Sequence, residues 1–521
     1  MRRHEEVFPR QTRIVSTLGL CPGEDWKGFL ESMTSAGMDV LRLNLSHSDT
    51  DYQKERTILA WAREPIVDGE APRVATLIDL QGPKARIGTV ADPGIELVVG
   101  AEVFLRSGAA PEEKGVVIPL PKGTGDAVVC AAQVMLESRC DNTPVQLLLG
   151  DGDLVLEVIG IESESGIRAR VVSGGLLTSR KGITVRGIDI DLDPFPEKDR
   201  SDLLELLHEG VDLVAVSFVR SAHDVERVRR FIEENWKGEG LPPGIVAKIE
   251  TISALQRFES ILESSDAVMI ARGDLGLQLG VEEIPLEQKR LARLARDRGK
   301  PVIVATQMLE SMIEHPSPTR AEATDVFNAI LDGGDAIMLS AETSIGVWPI
   351  DSVQTMDRIA RHAEAYRRGP DGAARRRRGL GEEQFPSGRA SMIGRVNEQF
   401  ALTAVQFAER IPAKAVVSFT RTGGTPRRLA RYRPTVPLIA VCNSESVARQ
   451  LLLSYGVHPI VLRSYEGEEP DLRSLVRTAR ASLHEHYGLE SGDAIVVTGG
   501  IDWPSGGTNA LRVMVEDLED R

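Results

Sequence analysis

Eight short β-rich runs, most of them separated by stretches of helical periodicity, constrain this chain more than any other feature. They are IVSTL (14–18), VLRLNLS (40–46), RVATLID (73–79), VDLVAVSF (211–218), GIVAKIE (244–250), AVMIARG (267–273), PVIVATQ (301–307) and AIMLSAET (336–343). Intervening segments such as EKDRSDLLELLHEG and EQKRLARLARDRGK space their apolar residues as one-sided helices do. Such alternation predicts either a (β/α)8 barrel or a doubly wound open sheet. The polar residues choose between them. Almost every run starts apolar and ends polar: Arg42, Asn44 and Ser46; Asp79; Ser217; Lys248 and Glu250; Arg272 and Asp274; Thr306 and Gln307; Ser340 and Glu342. Polar groups supplied by many strand ends are what the top face of a barrel collects, whereas an open sheet gathers its site at one crevice. The expected fold class is α/β, a TIM barrel.

Two regions break the alternation. Residues 88–184 read as short extended runs with turn signals, as in PVQLLLGDGDLVLEVIGIE, and predict an inserted all-β lid domain. The barrel then comprises residues 10–87 and 185–366. An Arg- and Gly-rich stretch marks a linker over 367–391, where the cluster Arg375 to Arg378 reads as solvated surface. Beyond it, VVSF, LIAVC, HPIVL, AIVVTGG and RVMVED interleave with helical periodicity. They predict a C-terminal α/β domain over 392–521.

Composition excludes some functions. With 42% hydrophobic and 27% charged residues in 521, the chain can bury large cores. A net charge of −15 argues against nonspecific binding to nucleic acid or acidic membranes, yet allows a local basic pocket for phosphate. Cys21, Cys130, Cys140 and Cys442 form no CxxC pair and are expected as free thiols in a reducing compartment. No apolar stretch approaches the ~20 residues of a membrane span, and the opening residues lack the apolar core of a secretory signal. A cytoplasmic location is expected.

Strand side chains alternate between faces. In VLRLNLS the leucines 41, 43 and 45 should face the helices while Arg42, Asn44 and Ser46 face the barrel mouth. The same rule places Lys248 and Glu250 on one inner face, and Thr306 on the inner face with Val302 and Val304. Glu250 and Asp274 end neighbouring strands, so their carboxylates can converge on a hard divalent ion that keeps other positions for water and substrate. Equally, Glu250 could pair with Lys248 while Asp274 caps a helix. Lys248, beside these carboxylates, is placed to meet charge developing in a transition state; a permanent internal ion pair is the alternative. The turn ARGDLG (271–276) offers backbone N–H groups to an anion. No GxxxxGK[ST] loop is present, so a nucleotide would not be held by a P-loop. GGIDWPSGGTNA (499–510) is glycine-rich, which suits either a phosphate cradle or a turn.

RLNLSH (42–47), IDLQGPKAR (78–86), SRKG (179–182), AKIE (247–250), MIARGDLG (269–276), the long run ATQMLESMIEHPSPTRAEATDVFNAILDGGDAIMLSAET (305–343) and ARYRPTVPLIAVC (430–442) together resemble the pyruvate kinases. The resemblance covers nearly the whole chain. It implies transfer of the phosphoryl group of phosphoenolpyruvate to ADP, giving pyruvate and ATP, as the last step of glycolysis. By the same resemblance Arg42 meets the substrate phosphate, and Gly273 and Asp274 receive its carboxylate. Lys248 stabilises the phosphoryl in flight, and Thr306 helps deliver a proton. Asn44, Leu45, Ser46, His47, Arg86 and the lid residue Lys181 lie toward the nucleotide. Glu250 and Asp274 hold Mg2+, with Mn2+ as a possible substitute. Family habit also implies a homotetramer and a sugar-phosphate or nucleotide effector near TRTGGT (420–425).

The stretch LIDLQGPKARIG (77–88) departs from the better-known members, which carry Thr, Lys and Glu where this chain has Leu80, Gln81 and Lys84. Those members bind K+ through an Asn, a Ser, an Asp and that Thr. Here Asn44, Ser46 and Asp79 remain, but Leu80 has no hydroxyl. The resemblance is therefore to the potassium-independent branch, with the Lys84 ammonium expected to replace the monovalent cation. A metal-dependent lyase or aldolase would need neither Lys181 nor Arg86. A catalytically silent relative would be expected to lack one of Lys248, Glu250, Asp274 or Thr306.

Overall fold

The eight runs form eight parallel strands that close on themselves. They are Arg13–Leu18, Val40–Asn44, Ala75–Asp79, Leu213–Val216, Gly244–Ile249, Ala267–Ala271, Val302–Ala305 and Ala336–Leu339, paired in chain order around the barrel. Closure comes from the first strand pairing the eighth, with Arg13 opposite Ala336 and Ser16 opposite Leu339. The computed structural model describes residues 10–21, 25–48, 51–64, 66, 70–108, 116–138, 143–163, 166–238, 240–369, 392–462, 480, 483–484, 488–490, 492–499 and 510–515.

Strand alternation sorts the core into two shells. Val15, Val40, Leu77, Ala215, Val246, Met269, Ile303 and Met338 fill the barrel interior. Leu41, Leu43, Ile78, Val214, Ile249, Ile270, Val304 and Leu339 pack outward against the helices. Burying each such leucine or isoleucine contributes about 1.5–3 kcal/mol. One expectation fails here. Val302 and Val304 face the helices, and Ile303 with Ala305 lines the interior, so simple alternation would also turn Thr306 outward. Its backbone leaves the extended region instead, with φ of 70°, and Gln307 follows at 54°. A left-handed β-branched residue is a genuine outlier, and it re-aims the Thr306 side chain.

The inserted segment carries a six-stranded sheet in the order Ile183–Val185, Gln146–Leu149, Leu154–Ser163, Gly166–Ser173, Glu102–Ser107, Val116–Leu120. It is not all-β. Thr124–Ser138 is a helix that buries Val128, Val129, Ala131 and Ala132 against the sheet's core. Its valine-rich start favours strand by propensity, and packing overrides that preference. The two chain crossings into the insertion pair with each other: Arg86 bridges Gly182, and Ile87 N–H donates to the Lys181 carbonyl.

The C-terminal domain is a five-stranded sheet in the order Val457–Val461, Leu438–Cys442, Ala415–Thr420, Ala494–Gly499, Ala510–Val515, the last strand antiparallel. It docks at the strand N-terminal ends, away from the polar strand tips. There Arg433 grips Asp335 through two 3.0 Å bonds, and Leu452 and Leu453 join the barrel's interior cluster. The helix Pro349–Arg368 runs two residues into the linker expected over 367–391 and description stops at Gly369, so Arg375 to Arg378 lie outside the described residues, as does most of GGIDWPSGGTNA (499–510). Among the described residues no helix is long and apolar enough to cross a membrane.

Candidate active site at the C-terminal end of the barrel

Lys248 occupies the centre of the polar strand tips. Its ammonium donates to Ser217 Oγ at 2.8 Å and lies 2.9 Å from Glu250 Oε1 and 3.2 Å from Asp79 Oδ1. The side chain retains 12% exposure, so it is not sealed beneath the core. Burial opposes its charge, but Asp79 and Glu250 outweigh that and raise its pKa, keeping it an ammonium.

Arg42 completes the cluster from the second strand. Its guanidinium holds Asp79 Oδ2 through Nε at 2.8 Å and Nη2 at 2.7 Å, and donates to Thr17 Oγ1 at 2.6 Å. Burial would push the Asp79 carboxyl up; Lys248 and Arg42 together hold it below its ordinary range. Asp79 is therefore a fixed anion whose oxygens are already engaged. The loop after it turns at Gly82, where φ is 68° and an added Cβ would meet Ser217 Cβ at 2.6 Å. Only glycine fits that turn, and it delivers Lys84 to the barrel mouth.

Lys84 Nζ donates to Asp274 Oδ1 at 2.9 Å and stands 6.0 Å over the Phe218 ring. Its stem passes under Gly182, whose added Cβ would lie 3.2 Å from Lys84 Cε. The ammonium is thus seated on Asp274, while Asn44 Oδ1 accepts from Ser46 N–H at 3.2 Å. Asp274 sits in the first turn of the helix Arg272–Leu279. Glu250 is 1% exposed, and its second oxygen accepts from Phe218 N–H at 2.7 Å. Burial, reinforced by the negative charge of Asp274, raises the Glu250 pKa against the pull of Lys248. Two carboxylates close enough to repel, one of them buried, form a hard-oxygen pair that a divalent cation would relieve. Among the described residues no group of three His, Cys, Asp or Glu side chains is gathered for a metal, so any such ion would draw its remaining ligands from water and substrate.

Thr306 Oγ1 accepts from Gly273 N–H at 2.8 Å and donates to the Ala305 carbonyl at 2.7 Å. The strained backbone of Thr306 and Gln307 is pinned by Arg272, whose guanidinium donates to the Thr306 carbonyl at 2.6 Å and to Asp325 at 2.8 Å. Strain held by surrounding bonds is characteristic of functional sites.

The remaining expected residues are placed unevenly. Asn44 caps a 3-10 turn over Leu45–His47, which ends the strand alternation. Leu45 is fully buried in the outer core, so only its backbone faces the mouth; its carbonyl accepts from Lys198 at 3.0 Å. The side chain of His47 lies outside the described residues. Arg86 and Lys181 sit together at the lid crossing, Arg86 donating to the Arg180 carbonyl at 3.2 Å and Lys181 packing against Gly150. Sequence reasoning passed over Thr17 and Phe218. A threonine closing an apolar strand is a signal for the first. Phe218, with φ of 54°, gives none, because its role depends on a backbone angle.

The chain matches the family model for the pyruvate kinase barrel domain over residues 9–353 and that for the pyruvate kinase alpha/beta domain over 398–514. It is 37% identical to a pyruvate kinase of Sporosarcina psychrophila, covering 97% of this chain and 80% of that one. A pyruvate kinase of Mycobacterium tuberculosis (strain CDC 1551 / Oshkosh) is 36% identical over 97% of this chain and 98% of its own. Among solved structures, a pyruvate kinase from Cryptosporidium parvum superposes with a TM-score of 0.84 at 31% identity, covering 97% of this chain and 96% of that one. With the barrel, the inserted sheet, the C-terminal sheet and 36–37% identity over 97% of the chain all in agreement, this chain belongs to the pyruvate kinase family of phosphotransferases.

Proposed function

We propose that this enzyme transfers the phosphoryl group of phosphoenolpyruvate to ADP, giving pyruvate and ATP, with Mg2+ and without K+. The observation that carries the reading is the Lys248 ammonium held between Asp79, Glu250 and Ser217 beside Arg42. Two fixed cations at the mouth suit a phosphoryl group whose P–O bond to the enol oxygen breaks as a bond forms to a terminal oxygen of ADP. Arg42 binds the phosphate, and Lys248 meets the charge that grows on the transferring group. Glu250 and Asp274 hold the divalent ion, which supplies charge neutralisation when bound; Mn2+ offers the same hard-acid chemistry. The backbone N–H of Asp274 receives the substrate carboxylate, joined by that of Gly273 when it leaves Thr306 Oγ1. The Thr306 hydroxyl positions a water that protonates the methylene carbon of the enolate; a threonine is too weak an acid for more.

On the nucleotide side, Asn44, Ser46, His47 and the Leu45 backbone join Arg86 and Lys181 around the phosphates. The lid over 88–184 excludes water that would otherwise take the phosphoryl group. Lys84 supplies the charge that K+ brings in other members, delivered to Asp274 rather than to an Asn–Ser–Asp set. The enzyme works in the cytoplasm as a homotetramer, with the Thr420–Thr425 loop receiving a sugar-phosphate or nucleotide effector. Formation of pyruvate from phosphoenolpyruvate and ADP, followed in a coupled assay with and without Mg2+, tests the reading. Turnover that survives EDTA, or no turnover at all, overturns it.

A further inference from the structure

The 3-10 turn Leu45–His47 does little to hold its own shape. Its closing bond is long: Ser48 N–H reaches the Leu45 carbonyl at 3.5 Å, beyond the ordinary range for a backbone bond. The nearer partner of that carbonyl is Lys198, whose ammonium donates to it at 3.0 Å from 153 positions away. The Leu45 carbonyl and the Ser46 N–H belong to one planar peptide. That N–H donates to Asn44 Oδ1 at 3.2 Å. A cation on the carbonyl therefore fixes the plane of the peptide, polarises its N–H and, through it, orients Asn44. With Oδ1 taken, the Asn44 amide has only its two N–H donors to offer, which suits a phosphate oxygen.

Lys198 is itself firmly held. Its ammonium also donates to Asp202 Oδ2 at 2.5 Å, and Asp202 Oδ1 accepts from Tyr52 O–H at 2.6 Å. Lys198 and Asp202 are one turn apart on the helix Glu197–Leu206. Exposed pairs at that spacing contribute little, but the Asp202 side chain is only 2% exposed and has no water to exchange for its lysine. At the same helix end Asp199 accepts from Gly82 N–H at 2.9 Å, which ties the base under Lys198 to the loop carrying Lys84. Among the described residues the hydrogen bonds of Lys198 go to Leu45 and Asp202, so its influence on the reaction passes through the turn.

We infer that Lys198 is a positioning residue for the nucleotide, setting the Leu45–His47 turn and Asn44 against the phosphates of ADP. This rests on the proposed placement of the turn on the nucleotide side. The tether is present before and during phosphoryl transfer, so its loss weakens ADP binding more than it slows turnover.

Initial velocities with ADP and phosphoenolpyruvate each varied at saturation of the other test this. In Lys198→Met, KM for ADP should rise at least about five-fold, with KM for phosphoenolpyruvate within about two-fold and kcat within about three-fold of the parent. Lys198→Met combined with Asp202→Asn removes the buried charge that the single change strands. It should regain stability to urea yet keep the raised KM for ADP. An unchanged KM for ADP in Lys198→Met overturns the inference. So does a KM for ADP restored in the double variant, which would trace the effect to the stranded Asp202. Arg86→Met, which removes a nucleotide-side donor directly, separates the two possible failures. If it raises KM for ADP while Lys198→Met does not, the inference fails and the nucleotide reading stands. A rise confined to phosphoenolpyruvate in both overturns the reading of that side and the inference with it. Circular dichroism checks that each variant folds, and should Lys198→Met not fold, a KM for ADP in the double variant within about two-fold of the parent is decisive against the inference.

Discussion

Replacing Lys84 by Met removes a charge while keeping most of the side chain's volume. The ammonium it deletes sits 2.9 Å from Asp274, and the two side chains are 29% and 27% exposed. A pair this open contributes no more than about 1 kcal/mol to folding. The shift in Tm should therefore not exceed about 2 °C. Catalysis should respond on another scale. If Lys84 supplies the charge that K+ supplies elsewhere, its loss removes a fixed cation from the transition state, and such donors are worth about 2.7–4 kcal/mol, or ~10²–10³ in kcat. The assay is initial velocity in tetramethylammonium buffer, repeated with isoionic KCl. The parent should be insensitive to the exchange. Lys84→Met should be slow in both, since Leu80 brings no hydroxyl to a potassium site, whereas Lys84→Glu combined with Leu80→Thr should respond to K+. A Lys84→Met enzyme within three-fold of the parent, or a parent stimulated manyfold by KCl, would refute the reasoning.

Other outcomes follow from the same geometry. Lys248→Met leaves Asp79 and Glu250 facing each other without their shared cation, so kcat should fall by at least ~10² and stability by about 3–5 kcal/mol, read from kinetics and urea denaturation. Thr306→Val removes the acceptor for Gly273 N–H and should cut kcat ~10-fold or more, while Thr306→Ser retains most activity. Asp199 holds Gly82 N–H at 2.9 Å, and burial raises its pKa to about 6. The native state therefore binds the extra proton, and this residue's contribution to stability is lost as pH rises from about 4 to 6. Asp199→Asn should abolish that part of the pH dependence and gain up to about 3 kcal/mol at pH 8 relative to the parent, measured by denaturation at pH 4 and pH 8.

Strand alternation, a local property, made the barrel and the inner placement of Arg42, Lys248 and Glu250 legible. Each side chain's face follows from its neighbours along one strand, and closure then brings the tips together. Periodicity fails where the backbone stops being regular. Thr306 and Phe218 take positive φ, and Leu45–His47 coil into a 3-10 turn. The lid helix Thr124–Ser138 shows packing overriding the preference of its valines.

The sequence alone determined which residue types stand at the strand ends. Only the folded chain decided which of them meet. The partner of Lys84 is Asp274, 190 positions away, and no local pattern connects them. Electrostatic pairing is settled by distance and burial, which exist only once the strands have closed and water has been excluded from between them.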